Sequence, residues 1–346
     1  LKPSSLVESP LAGALRFDAG ALSPRVRNEA VERRARLAAP HSLRVGVILN
    51  QRAHRNLASE RMLPAVSPQL DWAAPNTMVD LSRALARFAT TGIDLLVIDG
   101  GDGTIRDTLS AAQAYFPAGL PPIALVPSGK TNALALDVGV PSDWTVHDAI
   151  AAANTGRIVR RTPIEITREG EDAPSLSGFI FGAGAFVKAT ALAQQTHRLG
   201  AFKGLAVGMS LLGAIAQTLF AGRDNPWRRG VPVGIELEDG RTIEQDLYLL
   251  LASTLERLPL GIKPFGAVRD GLKVLGVDAP PRQLLTSFPA VLAGSEAAWL
   301  ERLGYHRRDF TRLTLSLSAG FILDGEQYPG SRLTLARGRA IDFIVP

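Results

Sequence analysis

Three short, predominantly apolar runs, each followed by a polar or glycine-rich turn and then by helix-periodic sequence, limit what this chain can become. They are residues 43–50 (LRVGVILN), 93–98 and 122–126. A run apolar at nearly every residue, with no alternation, reads as buried on both faces, which in a sheet means parallel strands covered by helices on each side. Between the first two runs, Asn76 or Thr77 can cap a helix whose Leu81, Leu85 and Phe88 share a face, and Gly92 stops it where a left-handed residue is needed. Between the second and third, Asp99-Gly-Gly-Asp-Gly-Thr104 makes a turn, and a helix from about Ile105 to Tyr115 packs Leu109 and Ala112 inward. This alternation predicts an α/β fold with a doubly wound sheet and a ligand at the carboxyl ends of its strands.

The pattern changes after about residue 158, where short strands joined by turns replace it. Pro232 to Leu237, Asp239-Gly240 and Glu244 to Ala252 read as a hairpin, since Asp-Gly supplies the positive φ angles of a tight turn. Strands are also expected at 313–317, 321–323, 332–335 and 340–345, with helices near 200–220 and 284–304. A chain of 346 residues, 46% hydrophobic, has enough apolar sequence for two cores. The expected organisation is a basic N-terminal extension over 1–42, a nucleotide-binding lobe over 43–158 rejoined by 333–346, and a second lobe over 159–332.

Composition narrows the chemistry. The chain has no cysteine, which removes disulfides and thiolate metal sites, and its five histidines lack the spacing that puts two on one helical face. The formal charge of +5 favours phosphate-rich partners or an anionic membrane surface. Residues 1–42 carry seven Lys and Arg against four Asp and Glu, which reads either as a solvated helix or as a surface that touches anionic headgroups. With no basic patch interleaved with aromatics, nucleic acid is not expected as a partner. No apolar segment of signal-peptide form follows a basic start, so no secretory leader is expected. Gly204 to Gly222 is free of charge over 19 residues, but its four glycines and its three-and-four spacing of apolar residues read as a buried or interfacial helix rather than a membrane span.

The turn Gly100, Gly101, Asp102, Gly103, Thr104 lies between a buried strand and a helix, where backbone N–H groups and the helix dipole favour an anion. The same Gly-Gly-Asp-Gly is also good turn chemistry. If phosphate is bound there, Asp102 makes sense only through a divalent cation or a ribose hydroxyl. The next strand ends in Pro127-Ser-Gly-Lys-Thr-Asn132, a second glycine turn that opens a helix. Lys130 reads equally as a phosphate ligand or a solvated lysine, and Asn132 taken alone as an N-cap.

Taken in order, Asn50, GGDGT at 100–104, PSGKTNALA at 127–135, FGAGAF at 181–186, RDGL at 269–272 and LDGEQY at 323–328 resemble the diacylglycerol kinase catalytic family, which includes bacterial lipid kinases, sphingosine kinases and ceramide kinases. The resemblance covers about residues 43–346. It implies a nucleotide lobe similar to that of NAD kinases and phosphofructokinases, a β-sandwich lobe that takes the lipid, and an ATP–Mg2+ site between them. It carries nucleotide binding onto Asn50, Thr77, Gly100, Gly101, Asp102, Gly103, Thr104, Ser128, Gly129 and Asn132. It carries the general base onto Asp324, with Glu326 to orient it or to help hold magnesium, and metal binding onto Asp102 and Asp270. An alcohol is a poor nucleophile, so a carboxylate within reach must take its proton as the phosphoryl group arrives. Read without the family, Asp324-Gly325 is simply a hairpin turn.

The resemblance also implies a cytoplasmic enzyme peripheral to the inner face of a membrane, and a homodimer is compatible with it. Several positions depart from the family pattern: Gln51 for a usual Pro, Arg106 and Asp107 for Asn and Glu, Lys130 for Thr or Ser, and Arg269 for Asp. The last, with Ala267, weakens a structural magnesium site near Asp270. Asn132 to Ala135 is closer to the sphingosine kinase branch, which points to ceramide or a sphingoid base beside diacylglycerol. Two other readings compete, an NAD kinase-like enzyme and a catalytically silent lipid-binding protein.

Overall fold

The structure is a computed structural model, and it describes residues 43–53, 69–188, 190, 228–236 and 241–346. The basic extension 1–42, the uncharged segment 204–222 and the Asp239-Gly240 turn lie outside the described residues. Two compact units emerge, one containing 43–163, 175–178 and 338–346 and the other 164–174 and 179–337.

The first unit is built on a parallel-rich sheet. Strands β1 (Val45–Leu49), β3 (Leu95–Gly100) and β4 (Ile123–Pro127) are buried along their whole length, as apolar runs covered on both faces must be. Among the described residues the strand order is β2-β1-β3-β4-β17-β5, where β2 is Leu70–Ala73, β5 is Arg157–Arg161 and β17 is Ile341–Val345. β2, β1, β3, β4 and β17 are parallel neighbours, and β5 closes the edge antiparallel to β17. β1 has β2 on one side and β3 on the other, so the direction of winding reverses between β1 and β3. A crevice opens at their carboxyl ends, where Asn50 and Gly100 lie.

Helix α1 (Met78–Thr91) begins where the sequence places it. The Thr77 hydroxyl accepts from the Asp80 N–H at 3.1 Å and donates to the Asp80 carboxylate at 2.8 Å, and Gly92 ends the helix with φ +65°. Its inner face buries Leu81, Ala84, Leu85 and Phe88. Helix α2 spans Asp102–Ala112 rather than 105–115. It starts inside the glycine turn, because Gly101 is extended and the Ile105 N–H already reaches the Gly101 carbonyl at 3.1 Å. Leu109 and Ala112 are buried as expected. Helices α3 (Ala133–Val138) and α4 (Val146–Thr155) follow β4, the latter with a Thr145–Asp148 capping box. The edge strand is fixed by ion pairs from Arg160 to Asp342 at 2.8 Å and from Arg161 to the buried Asp137 at 2.6 Å.

In the second unit the strands form one curled antiparallel sheet, connected by hydrogen bonds throughout, where a β-sandwich was expected. Its order runs β15-β14-β8-β10-β9-β13-β16-β6, with β11 beside β10 and β12 beside β11. The strands are β6 (Ile164–Arg168), β8 (Ile180–Gly184), β9 (Val231–Glu236), β10 (Thr242–Ser253), β11 (Leu272–Asp278), β12 (Tyr305–Phe310), β13 (Arg312–Leu317), β14 (Phe321–Leu323), β15 (Glu326–Tyr328) and β16 (Arg332–Arg337). β9 and β10 pair from Val231–Leu247 to Glu236–Thr242, the hairpin read from the sequence. The helix expected over 284–304 is two helices, α5 (Leu284–Leu292) and α6 (Ala298–Arg302). Gly294, at φ +84°, separates them.

Candidate functional site

The carboxyl ends of β1, β3 and β4 are adjacent, and the two glycine turns that follow β3 and β4 touch backbone to backbone. A Cβ placed on Gly101 would lie 2.9 Å from the Gly129 Cα, and one on Gly129 would lie 2.5 Å from the Gly101 Cα. No side chain fits at either position, so glycine is required there for close approach rather than for a positive φ.

Several polar contacts hold the turns together. The Asn50 amide donates to the Thr104 hydroxyl at 2.8 Å, and the Asn50 N–H donates to the Asp99 carbonyl at 2.8 Å, which ties the end of β1 to the first turn of α2. Ser128, fully buried, donates its hydroxyl to the fully buried carboxylate of Asp99. Asn132 stands at the head of α3 in the left-handed region (φ +50°), a conformation asparagine tolerates. Its side chain caps nothing. It accepts from the Gly129 N–H at 2.9 Å and donates to the Gly129 carbonyl at 3.0 Å, closing a ring that sets the turn's shape. Asp102 accepts from the Leu134 N–H at 3.3 Å. Burial pushes the Asp102 carboxyl above the usual carboxylate range, and backbone N–H groups from Asn132 to Leu134 oppose that rise.

These turns line a cavity of about 540 Å³, bounded by Asn50, Arg52, Ala53, Gly101, Gly103, Thr104, Asp107, Gly129 and Lys130. The volume suits a nucleotide-sized ligand. Of the residues expected from sequence, Asn50, Gly101, Gly103, Thr104 and Gly129 form its wall, while Gly100, Ser128 and Asn132 shape the backbone behind it. Thr77 caps α1 and does not line it. Arg52, Asp107 and Lys130 complete the wall. Arg52 and Lys130 are exposed cations, and Asp107 is paired with the buried Arg106 guanidinium at 2.7 Å. The cavity's ionic lining is therefore net positive.

Sequence reasoning missed Asp99, Arg52 and Asp107. Asp99 had a signal, because a carboxylate at the end of a strand buried on both faces demands a partner. Arg52 had none, since an exposed polar residue beside a turn follows no period, and Asp107 stood out only as a departure from the family pattern.

Asp324 lies in the second unit, and it is both a hairpin turn residue and a held carboxylate. β14 and β15 are joined by Asp324 (φ +45°) and Gly325 (φ +82°), the positive pair a two-residue hairpin needs. The Asp324 carboxylate accepts from the Phe179 N–H at 3.0 Å and from the Ile180 N–H at 2.8 Å, while its own N–H donates to the Ile180 carbonyl at 2.9 Å. Phe181, Phe321 and Tyr328 stack at 5.3 Å intervals under the hairpin, and Arg168 lies 5.4 Å from the Tyr328 ring centre. Glu326 is exposed at the start of β15. Asp270 is exposed and paired with Arg337 at 2.7 Å, and Arg269 is paired with Asp309. Among the described residues no cluster of three or more His, Asp or Glu side chains gathers for a metal. Asp102, expected from the sequence to hold a cation, is not among the residues that line the cavity, and its carboxylate accepts from the Leu134 N–H.

Residues 44–165 match the diacylglycerol kinase catalytic domain family. Two crystal structures from Bacillus anthracis str. Sterne share the fold. One, described as a candidate diacylglycerol kinase, is 17% identical with a TM-score of 0.59; the other, described as a diacylglycerol kinase, is 15% identical with a TM-score of 0.55. In each case the alignment covers 88% of this chain and 97% of the other. No curated protein sequence gave a match to the chain.

Proposed function

We propose that this chain, which belongs to the diacylglycerol kinase catalytic family through residues 44–165, is an ATP-dependent lipid kinase that moves the γ-phosphate of ATP to a hydroxyl of diacylglycerol, ceramide or a sphingoid base. The observation that carries the nucleotide half of this reading is the Gly101–Gly129 contact. It sets two backbone turns side by side at the wall of a cavity lined by Arg52 and Lys130, an arrangement suited to a polyphosphate.

In this reading the parallel-sheet unit holds ATP and the antiparallel unit holds the lipid. The lipid hydroxyl oxygen attacks the γ-phosphorus, the bond to the β–γ bridging oxygen breaks, and the hydroxyl proton passes to the Asp324 carboxylate. Phe179 and Ile180 fix that carboxylate through their N–H groups. Mg2+, arriving with the nucleotide, supplies charge neutralisation of the phosphates. Asn132 to Ala135, close to the sphingosine kinase pattern, keeps ceramide and sphingoid bases among the acceptors. A kinase of this kind works on the cytoplasmic face of a membrane.

The test is incubation of the purified protein with labelled ATP, Mg2+ and separate micelles of diacylglycerol, ceramide, sphingosine and monoacylglycerol, with soluble NAD alongside. Label in one lipid identifies the acceptor. Label in NAD, or in none of them, overturns the proposal.

A further inference from the structure

Helix α5 carries no charged residue from Leu284 to Leu292, yet one of its faces is open to solvent. Leu285 is 71% exposed, and Thr286 and Pro289 are exposed with it. A water-facing helix surface is ordinarily charged or polar. The opposite face is accounted for, since Leu284 and Val291 are buried in a core with Leu275, Val277, Leu300 and Tyr305.

The loop that precedes β11 is pinned beside this helix. Leu258 packs against the same core, the Lys263 N–H donates to the Leu292 carbonyl at 2.8 Å, and Arg307 donates to the Pro264 carbonyl at 2.7 Å and to the Val291 carbonyl at 3.2 Å. Between these anchors Leu260 points outward, 72% exposed, on a left-handed backbone (φ +61°, ψ +11°) that a branched side chain rarely adopts. A leucine held in solvent on a strained backbone calls for a functional reason. Leu285 lies seven residues before Leu292, about 10 Å along the helix from the loop's attachment. Arg257 and Lys263 in the loop and Arg282 before the helix are exposed, with Glu256 the acidic residue beside Arg257.

An apolar face rimmed by cations fits the headgroup–acyl boundary of an anionic bilayer. We propose that Leu260 and the outer face of α5 dock this protein on anionic membrane lipid, Leu260 and Leu285 entering the acyl region while Arg257, Lys263 and Arg282 meet the headgroups. The docking deepens the lipid-acceptor reading and rests on it only in that the acceptor is reached where it lies, in a bilayer.

The experiment is co-sedimentation of the full chain with vesicles of phosphatidylcholine and of phosphatidylcholine mixed with phosphatidylglycerol. Wild type is expected to prefer the mixed vesicles. The Leu260→Asp, Leu285→Asp double variant should bind them about tenfold more weakly or worse, with an unchanged unfolding midpoint and unchanged phosphorylation of detergent-dispersed lipid. Arg257→Ala, Lys263→Ala and Arg282→Ala together should remove the preference for phosphatidylglycerol. Wild type that ignores both vesicles, or an aspartate variant that binds undiminished, overturns the docking. So does a wild-type dimer that the aspartates convert to a monomer, since the face would then be a protein interface. Vesicle binding without phosphorylation of any detergent-dispersed lipid would instead overturn the kinase reading and leave the docking standing.

Discussion

Ser128 donates its hydroxyl to the carboxylate of Asp99, and because both residues are fully buried this bond ties the end of β4 to the end of β3 beneath the two glycine turns. Removing Asp99 leaves the buried Ser128 hydroxyl without this acceptor, at a cost of about 1–3 kcal/mol, and removing Ser128 takes one donor from a buried carboxylate. Asp99→Ala and Ser128→Ala should therefore lower the unfolding free energy and raise KM for ATP several-fold, since the turns lose their common register. Asp99→Asn keeps an acceptor for the Ser128 hydroxyl and should recover most of the affinity. Equal KM values for wild type and Asp99→Ala would mean the turns are set by Gly101, Gly129 and Asn132 alone.

Asp324 is fixed by two backbone N–H groups that an asparagine side-chain oxygen can still satisfy in part. Asp324→Asn should thus retain the β14–β15 hairpin and ATP binding while transfer to lipid falls by about two to four orders of magnitude, the range a positioned general base supplies. ATP affinity by calorimetry and single-turnover transfer separate the two effects. Parallel loss of both would make the residue structural.

Much of the first unit was legible because its strands are buried on both faces and its helices carry explicit stops. The runs at 43–50, 93–98 and 122–126 and the Thr77 and Gly92 caps needed only local rules. The second unit was harder. Tyr305–Phe310 reads YHRRDF, and Leu272–Asp278 carries a buried Lys273 whose ammonium donates to the Arg269 carbonyl at 3.1 Å. Neither looks like a strand until the pairing of one with the other satisfies their backbones. At the site, the glycine turns were visible as motifs, but the Gly101–Gly129 contact and the use of Asn132's side chain on Gly129 depend on a left-handed backbone and a strand pairing that no local window encodes. The hairpin and base readings of Asp324 had been alternatives. The structure makes the residue a hairpin turn whose carboxylate accepts from the Phe179 and Ile180 N–H groups.

His306, 2% exposed, places both ring nitrogens against carboxylates, Asp278 at 3.1 Å and Glu301 at 3.2 Å, with Arg308 also on Glu301 at 2.6 Å. Burial alone would lower its pKa, but the hydrogen bond and charge of Asp278, then those of Glu301, raise it above the ordinary imidazole value. A raised folded value means that this stabilisation is fully present below about pH 6.5 and is lost as pH climbs through the folded pKa, each unit of difference contributing about 1.4 kcal/mol. Glu301 adds an acid limb. Its pKa is lowered because Arg308 and His306 outweigh its desolvation, so its contribution is present above the usual glutamate value and fades as pH falls. Chemical denaturation of wild type and His306→Gln across pH should show a wild-type advantage near pH 6 that shrinks toward pH 9. A gap independent of pH would mean that the imidazole is not protonated in the fold.

Arg52 and Lys130 are the exposed cations of the cavity wall. If they hold phosphate, each contributes a charge-assisted bond, worth about 1.5–3 kcal/mol when well formed and less at an exposed site. Arg52→Ala and Lys130→Ala should each raise the Kd for ATP about threefold to tenfold, with a smaller effect on ADP if the contact is to the γ-phosphate. The wild-type affinity should fall with salt more steeply than that of the double variant, because two screened charges are gone. kcat at saturating ATP should change little, since bound ATP would still be oriented by the backbone turns. An ATP affinity untouched by both substitutions would make these side chains solvated rim residues and leave phosphate recognition to the Gly101 and Gly129 turns.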